Sequence, residues 1–182
     1  MASGNMMSAN KDMIVKKVIH KNPWFSVEKH KISENDIYFL IRKKPAVFVI
    51  AKTKDNKIVF IREYRYPLDK RILQLPAGMV DSGTHLASAK RELFEETGIK
   101  AMKWNKIGEF YVAPGHETTK IIAYLAQNLT ETRSLGLEKD ILSVEKYSKQ
   151  EIISLIHSGK IKCGISLAVL LLYFESENNL SR

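Results

Sequence analysis

The chain predicts a mixed α/β domain: a mixed β-sheet sandwiched between helices, led by an N-terminal antiparallel strand extension. Three observations predict it. Short runs rich in β-branched and aromatic residues crowd the first third of the chain. The segment from Thr84 to Thr97 repeats its apolar residues at helical spacing and carries stop and start signals. Strand and helix signals then mix as far as Ser176.

Taken in order, residues 1–12 read as a loose leader of Ser, Asn and Met. Val15, Val18 and Ile19 begin a strand that breaks at Asn22-Pro23. Trp24 to Val27 and Ile37 to Ile41 flank the polar Ser33-Glu34-Asn35-Asp36, a hairpin signature. Ala46 to Ala51 and Ile58 to Ile61, joined by Lys54 to Lys57, read as a second hairpin. Leu75 to Met79 reads as a loop entering the first helix, where Leu86, Ala89 and Leu93 form one stripe. Ser82 or Thr84 caps that helix, and Gly98 stands where helices end. Strands return at Gly108–Val112, Ile121–Ala126 and Ile141–Val144. A second helix, Ser148 to Ile156, opens on a capping box with Glu151, and a third, mostly buried, runs from Cys163 to Ser176. These signals divide the chain into a leader (1–12), a β extension (13–45) suited to dimerisation, and a main domain (46–182).

Composition narrows the function classes. The 182 residues are 45% apolar and 27% charged, ordinary values for a globular chain. The longest nearly apolar stretch, Gly164 to Phe174, falls well short of the roughly 20 residues a bilayer requires, so no membrane role is expected. One cysteine, Cys163, excludes an internal disulfide and fits a reducing cytoplasm. The net charge of +9 suits phosphate-bearing ligands, but the lysines are scattered without a basic cluster, which argues against nucleic acid.

The chemistry concentrates in one helix. Glu92 and Glu96 are one turn apart and Glu95 lies three residues from Glu92, so like charges crowd one face. They also lie near the helix end, where the dipole is negative. Local stability disfavours that arrangement; Arg91, Lys90 or a hard divalent cation would offset it. Gly78 permits a close approach that a side chain would block.

Residues 78–99 resemble the Nudix box. Gly78, Arg91, Glu92, Leu93, Glu95, Glu96, Gly98 and Ile99 match its pattern. Thr84 stands where the pattern has its first Glu, and six residues rather than seven precede Arg91. Phe60 to Pro67, Leu73 to Gly78, and Ala113 to Ile121 are similar to the branch that hydrolyses ADP-ribose and nucleoside diphosphate sugars. Thr119 replaces an acid often found in that branch's Pro-Gly loop.

The resemblance implies a Nudix fold and a pyrophosphohydrolase acting on a nucleoside diphosphate derivative. Its metal ligands carry over to Glu92, Glu95, Glu96 and Gly78, with Mg²⁺ as cofactor and Mn²⁺ as the alternative. Catalytic roles carry over to Glu96, Glu95, Arg91 and a general base, Glu138, with Glu117 second. Arg65 would grip the diphosphate, and Trp24, Gly78, Glu117 and His116 would complete the substrate site. Branch members form homodimers, so one is expected here. Read from the residues alone, Arg65 is also a strand-end surface charge, His116 an exposed loop residue, and Trp24 core or interface packing. The alternative function is a non-hydrolytic Nudix-fold sensor of such ligands; RNA cap or nucleotide-pool hydrolysis is a third.

Overall fold

The computed structural model describes residues 15–132 and 140–180. They fall into two compact units, 15–44 with 113–119, and 45–112 with 120–132 and 140–180.

The first unit is an antiparallel sheet of β1 (Val15–Lys21), β2 (Phe25–Lys31) and β3 (Ile37–Lys43) in sequence order. The expected hairpin forms, with Val27 opposite Ile41. The break at Asn22-Pro23 is a tight bend, in which the Asn22 side chain accepts hydrogen bonds from the backbone N–H groups of Trp24 and Phe25. Between β2 and β3, Glu28 is buried and bonded by Arg42 (2.5 and 3.0 Å) and His30 (2.9 Å). These bonds, Arg42 foremost, hold the Glu28 carboxyl down at about 2. The segment Ala113–Thr119 is strapped to the end of β3: the Ile41 N–H donates to the His116 carbonyl and the Thr118 N–H to the Ile41 carbonyl.

The second unit holds two sheets. β4 (Ala46–Ala51), β7 (Ala77–Met79), β8 (Ile99–Tyr111) and β9 (Lys120–Glu131) form the order β7-β4-β9-β8. β4 and β9 run parallel at its centre and the other pairs are antiparallel, so this sheet is mixed. β5 (Ile58–Arg65), β6 (Lys70–Gln74) and β10 (Ile141–Tyr147) form the order β10-β5-β6. The central strands are buried on both faces, as a near-continuous apolar run should be. Val47, Val49 and Ala51 of β4 pack with Ile122 and Tyr124 of β9 against Ala89 and Leu93 of α1 (His85–Thr97). Phe48 and Ile50 turn the other way, toward Ile152 of α2 (Lys149–His157) and Val169, Leu170 and Tyr173 of α3 (Gly164–Leu180).

The caps form as read. The Thr84 side chain accepts from the Ala87 N–H, and Gly98 takes φ 69°, the left-handed stop. Ser148 and Glu151 make the capping box of α2. Among the described residues, no helix is long and apolar enough to cross a membrane.

Three expectations need correction. β4 and β5 are not a hairpin: beyond one bridge, Lys52 to Ile58, they part into different sheets. The Thr53–Lys57 turn that joins them is real, but the apolar faces of both strands find better burial with other partners. Leu75–Met79 is not all loop, because Ala77–Met79 pairs with Ala46–Phe48 as a short strand. β8 begins at Ile99, directly after the helix stop; Lys100, Lys103, Asn105 and Lys106 disguise its first half because an edge strand tolerates polar residues.

Across β5 and β10, Arg62 Nε donates to Glu145 Oε1 at 2.8 Å, and the Tyr147 and Ser143 hydroxyls donate to the same carboxylate. The Arg62 bond leads in lowering the Glu145 carboxyl to about 2, against the opposing effect of burial. A depressed carboxylate stabilises the fold above its unfolded value near 4.5 and loses that contribution as pH falls toward 2. Glu145→Gln should therefore melt below the wild type at pH 7, with the gap closing between pH 4.5 and 2. Thermal scans across that range check this; a gap independent of pH contradicts it.

Candidate active site

α1 turns Ser88, Ala89, Glu92, Leu93 and Glu96 toward the protein interior. Two carboxylates thus share the buried stripe with the core residues that anchor the helix. Burial of a carboxylate requires partners. The Glu96 side chain accepts from the Ala77 N–H at 2.8 Å. The Glu92 side chain fills the space above Gly78, so closely that a Cβ there would stand 2.0 Å from the Glu92 Cδ. Arg91 spans the outer rim. Its Nη2 donates to Glu92 Oε1 at 2.5 Å and its Nη1 to Glu95 Oε2 at 2.7 Å. Burial works against the Arg91 charge, but the Glu92 and Glu95 charges outweigh it and raise its pKa above the usual value.

Arg91 thus joins Glu92 to Glu95, Glu92 meets Gly78, and Glu96 meets the neighbouring Ala77. Among the described residues, no three His, Cys, Asp or Glu side chains are gathered in a metal-holding arrangement. The donors here are all oxygens on two adjacent turns, a set whose chemistry fits a hard cation such as Mg²⁺ or Mn²⁺. Arg91 stands among them as the neutralising charge.

Thr84, in place of the box's first Glu, is the N-cap of α1 and serves the helix rather than the acidic turn. Asp81 is exposed on the preceding loop.

A cleft of about 560 Å³ opens in the same unit, floored by Phe48 and Ile72 and rimmed by Arg65, Lys70 and Lys162. One strand pair links it to the acidic turn: Phe48, on its floor, lies opposite Ala77, whose N–H donates to Glu96. Arg65 and Lys70 face each other across β5 and β6. Like charges directly opposed destabilise a sheet, so their pairing favours an anion between them. Arg65 Nη1 lies 2.9 Å from Glu63 Oε1, and its Nε donates to Gln74 Oε1 at 3.3 Å. Gln74 is 2% exposed and donates in turn to Glu63 at 2.8 Å. The sequence singled out Arg65 but missed Glu63, Gln74, Lys70 and Lys162 as site residues. The register Arg65–Lys70 was the available signal, and it appears only once β5 and β6 are paired.

Glu117, Trp24 and His116 belong to the first unit. Glu117 pairs with Lys43 at 3.1 Å, and Lys43 lines a shallow groove beside Trp24, which is 62% exposed. His116 is exposed. The Thr119 hydroxyl is buried without a hydrogen-bond partner. Glu138 lies outside the described residues.

Residues 42–162 match the NUDIX domain. The chain belongs to the Nudix family. Over 126 residues it is 32% identical to an ADP-ribose pyrophosphatase of Bacillus subtilis (strain 168), covering 67% of this chain and 68% of that one. It is 25% identical to a GDP-mannose pyrophosphatase of Yersinia pestis (strain Pestoides F), over 90% and 91% of the two chains. Among solved structures, one described as an ADP compounds hydrolase superposes with a TM-score of 0.78 over 93% of this chain and 95% of that one, at 22% identity. The fold is thus the Nudix fold, as the box implied.

The contact of Glu92 with Gly78 can be isolated in a double-mutant cycle. Gly78→Ala in this Nudix domain should destabilise it by about 1–3 kcal/mol through overpacking. Adding Glu92→Ala should recover most of that loss, measured by urea unfolding. Additive costs contradict the contact.

Proposed function

We propose that this Nudix protein is a divalent-cation-dependent pyrophosphohydrolase. Its substrate is ADP-ribose or a nucleoside diphosphate sugar, and its products are a nucleoside monophosphate and a sugar phosphate. The observation that carries the reading is the acidic turn of α1 linked, through the Phe48–Ala77 strand pair, to a cleft rimmed by Arg65, Lys70 and Lys162. The named activities of the Bacillus and Yersinia relatives support the substrate class.

The chemical task is to bring water to phosphorus through a shell of negative oxygens. Glu92, Glu95 and Glu96 hold the cation, Mg²⁺ or Mn²⁺, and Gly78 leaves room for the Glu92 carboxylate. When bound, the cation polarises phosphoryl oxygens and makes water more acidic. Arg65 grips the diphosphate with its planar guanidinium, which bonds two oxygens at once. Glu63 and Gln74 fix the orientation of that fork before substrate arrives. Lys70 and Lys162 steady the negative charge on the departing phosphate. Arg91 holds Glu92 and Glu95 in place from outside. Glu138 accepts the proton from the attacking water.

Residues 13–45 act as a dimerisation extension in the same reading. Ile37 and Phe39 of β3 are about half exposed, as are Val18 and Ile19 of β1. An apolar surface of this kind suits a second copy of the chain.

With Mg²⁺, purified protein should release phosphomonoester from ADP-ribose or GDP-mannose. Glu96→Gln should cut kcat by a factor of about 10² or more with little change in melting temperature, and Arg65→Ala should raise KM. Ligand binding without turnover on either compound contradicts hydrolysis and makes the chain a sensor. Light scattering should report a dimer that Ile37→Glu/Phe39→Glu converts to monomer; a wild-type monomer contradicts the interface.

A further inference from the structure

The outer flank of α1 carries a second cavity, of about 330 Å³, that shares no lining residue with the cleft. Lys90, Arg91 and Phe94 of α1 line it from one side, and Lys100, Ala101 and Trp104 of β8 from the other. Three cations and two aromatic rings meet there with no carboxylate in the lining. Its volume lies in the range of small-molecule sites, about 300–1,000 Å³.

Arg91 is already committed to Glu92 and Glu95. Lys90 and Lys100 form no ion pair among the described residues, so their charge is available to an incoming anion. The Lys100 ammonium rests over the Phe94 ring, 4.9 Å from its centre, an interaction that holds it at the mouth of the cavity. Trp104 is half-buried and fixed: its indole N–H donates to the Ala101 carbonyl at 3.0 Å and its ring meets Tyr124 edge-on. A ring so fixed offers a stacking surface at little entropic cost. Protection of the sheet edge accounts for exposed lysines such as Lys103 and Lys106 on β8. It accounts neither for Lys90, which stands on the helix, nor for the two aromatics between the lysines.

We propose that this cavity binds a mononucleotide, its base stacked on Trp104 and its phosphate held by Lys90 and Lys100. The site requires a π-face and a phosphate together, and a phosphate alone satisfies only half of it. It is independent of the hydrolytic reading, since neither the cleft nor the cation site supplies its free charge.

Trp24→Phe leaves Trp104 as the single tryptophan of the chain. In that background, with EDTA to remove divalent cations, AMP should quench the tryptophan emission saturably. Adenosine and inorganic phosphate should each bind at least about tenfold more weakly than AMP. Lys90→Ala/Lys100→Ala, two exposed positions, should weaken AMP by at least about tenfold, whereas Arg65→Ala should leave the quench intact. Absence of a saturable quench overturns the proposal, as does equal binding of AMP and inorganic phosphate. An unchanged response in the double lysine variant, or its loss in Arg65→Ala, likewise places the ligand elsewhere.

Discussion

The seating of α1 on β7 is the contact on which the rest depends. Glu92, seated over Gly78 and bonded by Arg91, and Glu96, on the Ala77 N–H, bring two carboxylates into the interior, where burial requires such partners. Leu93 and Ala89 on the same stripe supply the apolar burial that holds the helix down. One helical face thus anchors the fold and presents the acidic turn. The placement of the carboxylates is a consequence of packing, fixed before any ligand arrives.

β4 carries the coupling between that turn and the cleft. Its alternate residues serve two cores, Val47 and Val49 under α1, Phe48 and Ile50 under α2 and α3. Phe48 also floors the cleft and pairs with Ala77. Ser166 at the start of α3 accepts the Leu75 N–H and fixes the end of the strand that carries Gln74. Arg65, Gln74 and the acidic turn therefore stand on a rigid frame, which preorganises the charges that the reaction needs.

Local signals in the sequence translated directly into structure. Thr84 and Gly98 bounded α1, and Ser148 with Glu151 opened α2, because caps depend on neighbours a few residues away. The box motif located the acidic turn for the same reason. Long-range pairing was less legible. β4 and β5 look like a hairpin because a good turn joins them, yet their partners lie about seventy residues or more onward for Ala46 on Ile121 and Ile58 on Tyr147. Glu63, Gln74, Lys70 and Lys162 escaped notice because scattered polar residues become a site only when sheet register brings them together. Thr84 both departs from the box pattern and caps the helix, two readings its sequence position allows together.

The account rests on an acidic turn that takes up a hard divalent cation. Calorimetric titration of Mn²⁺ into the wild type and into Glu92→Gln/Glu96→Gln tests it most directly. The account predicts saturable uptake by the wild type and its loss in the double variant, with both proteins folded. Equal uptake by the two, or none by the wild type even with ADP-ribose present, would contradict it.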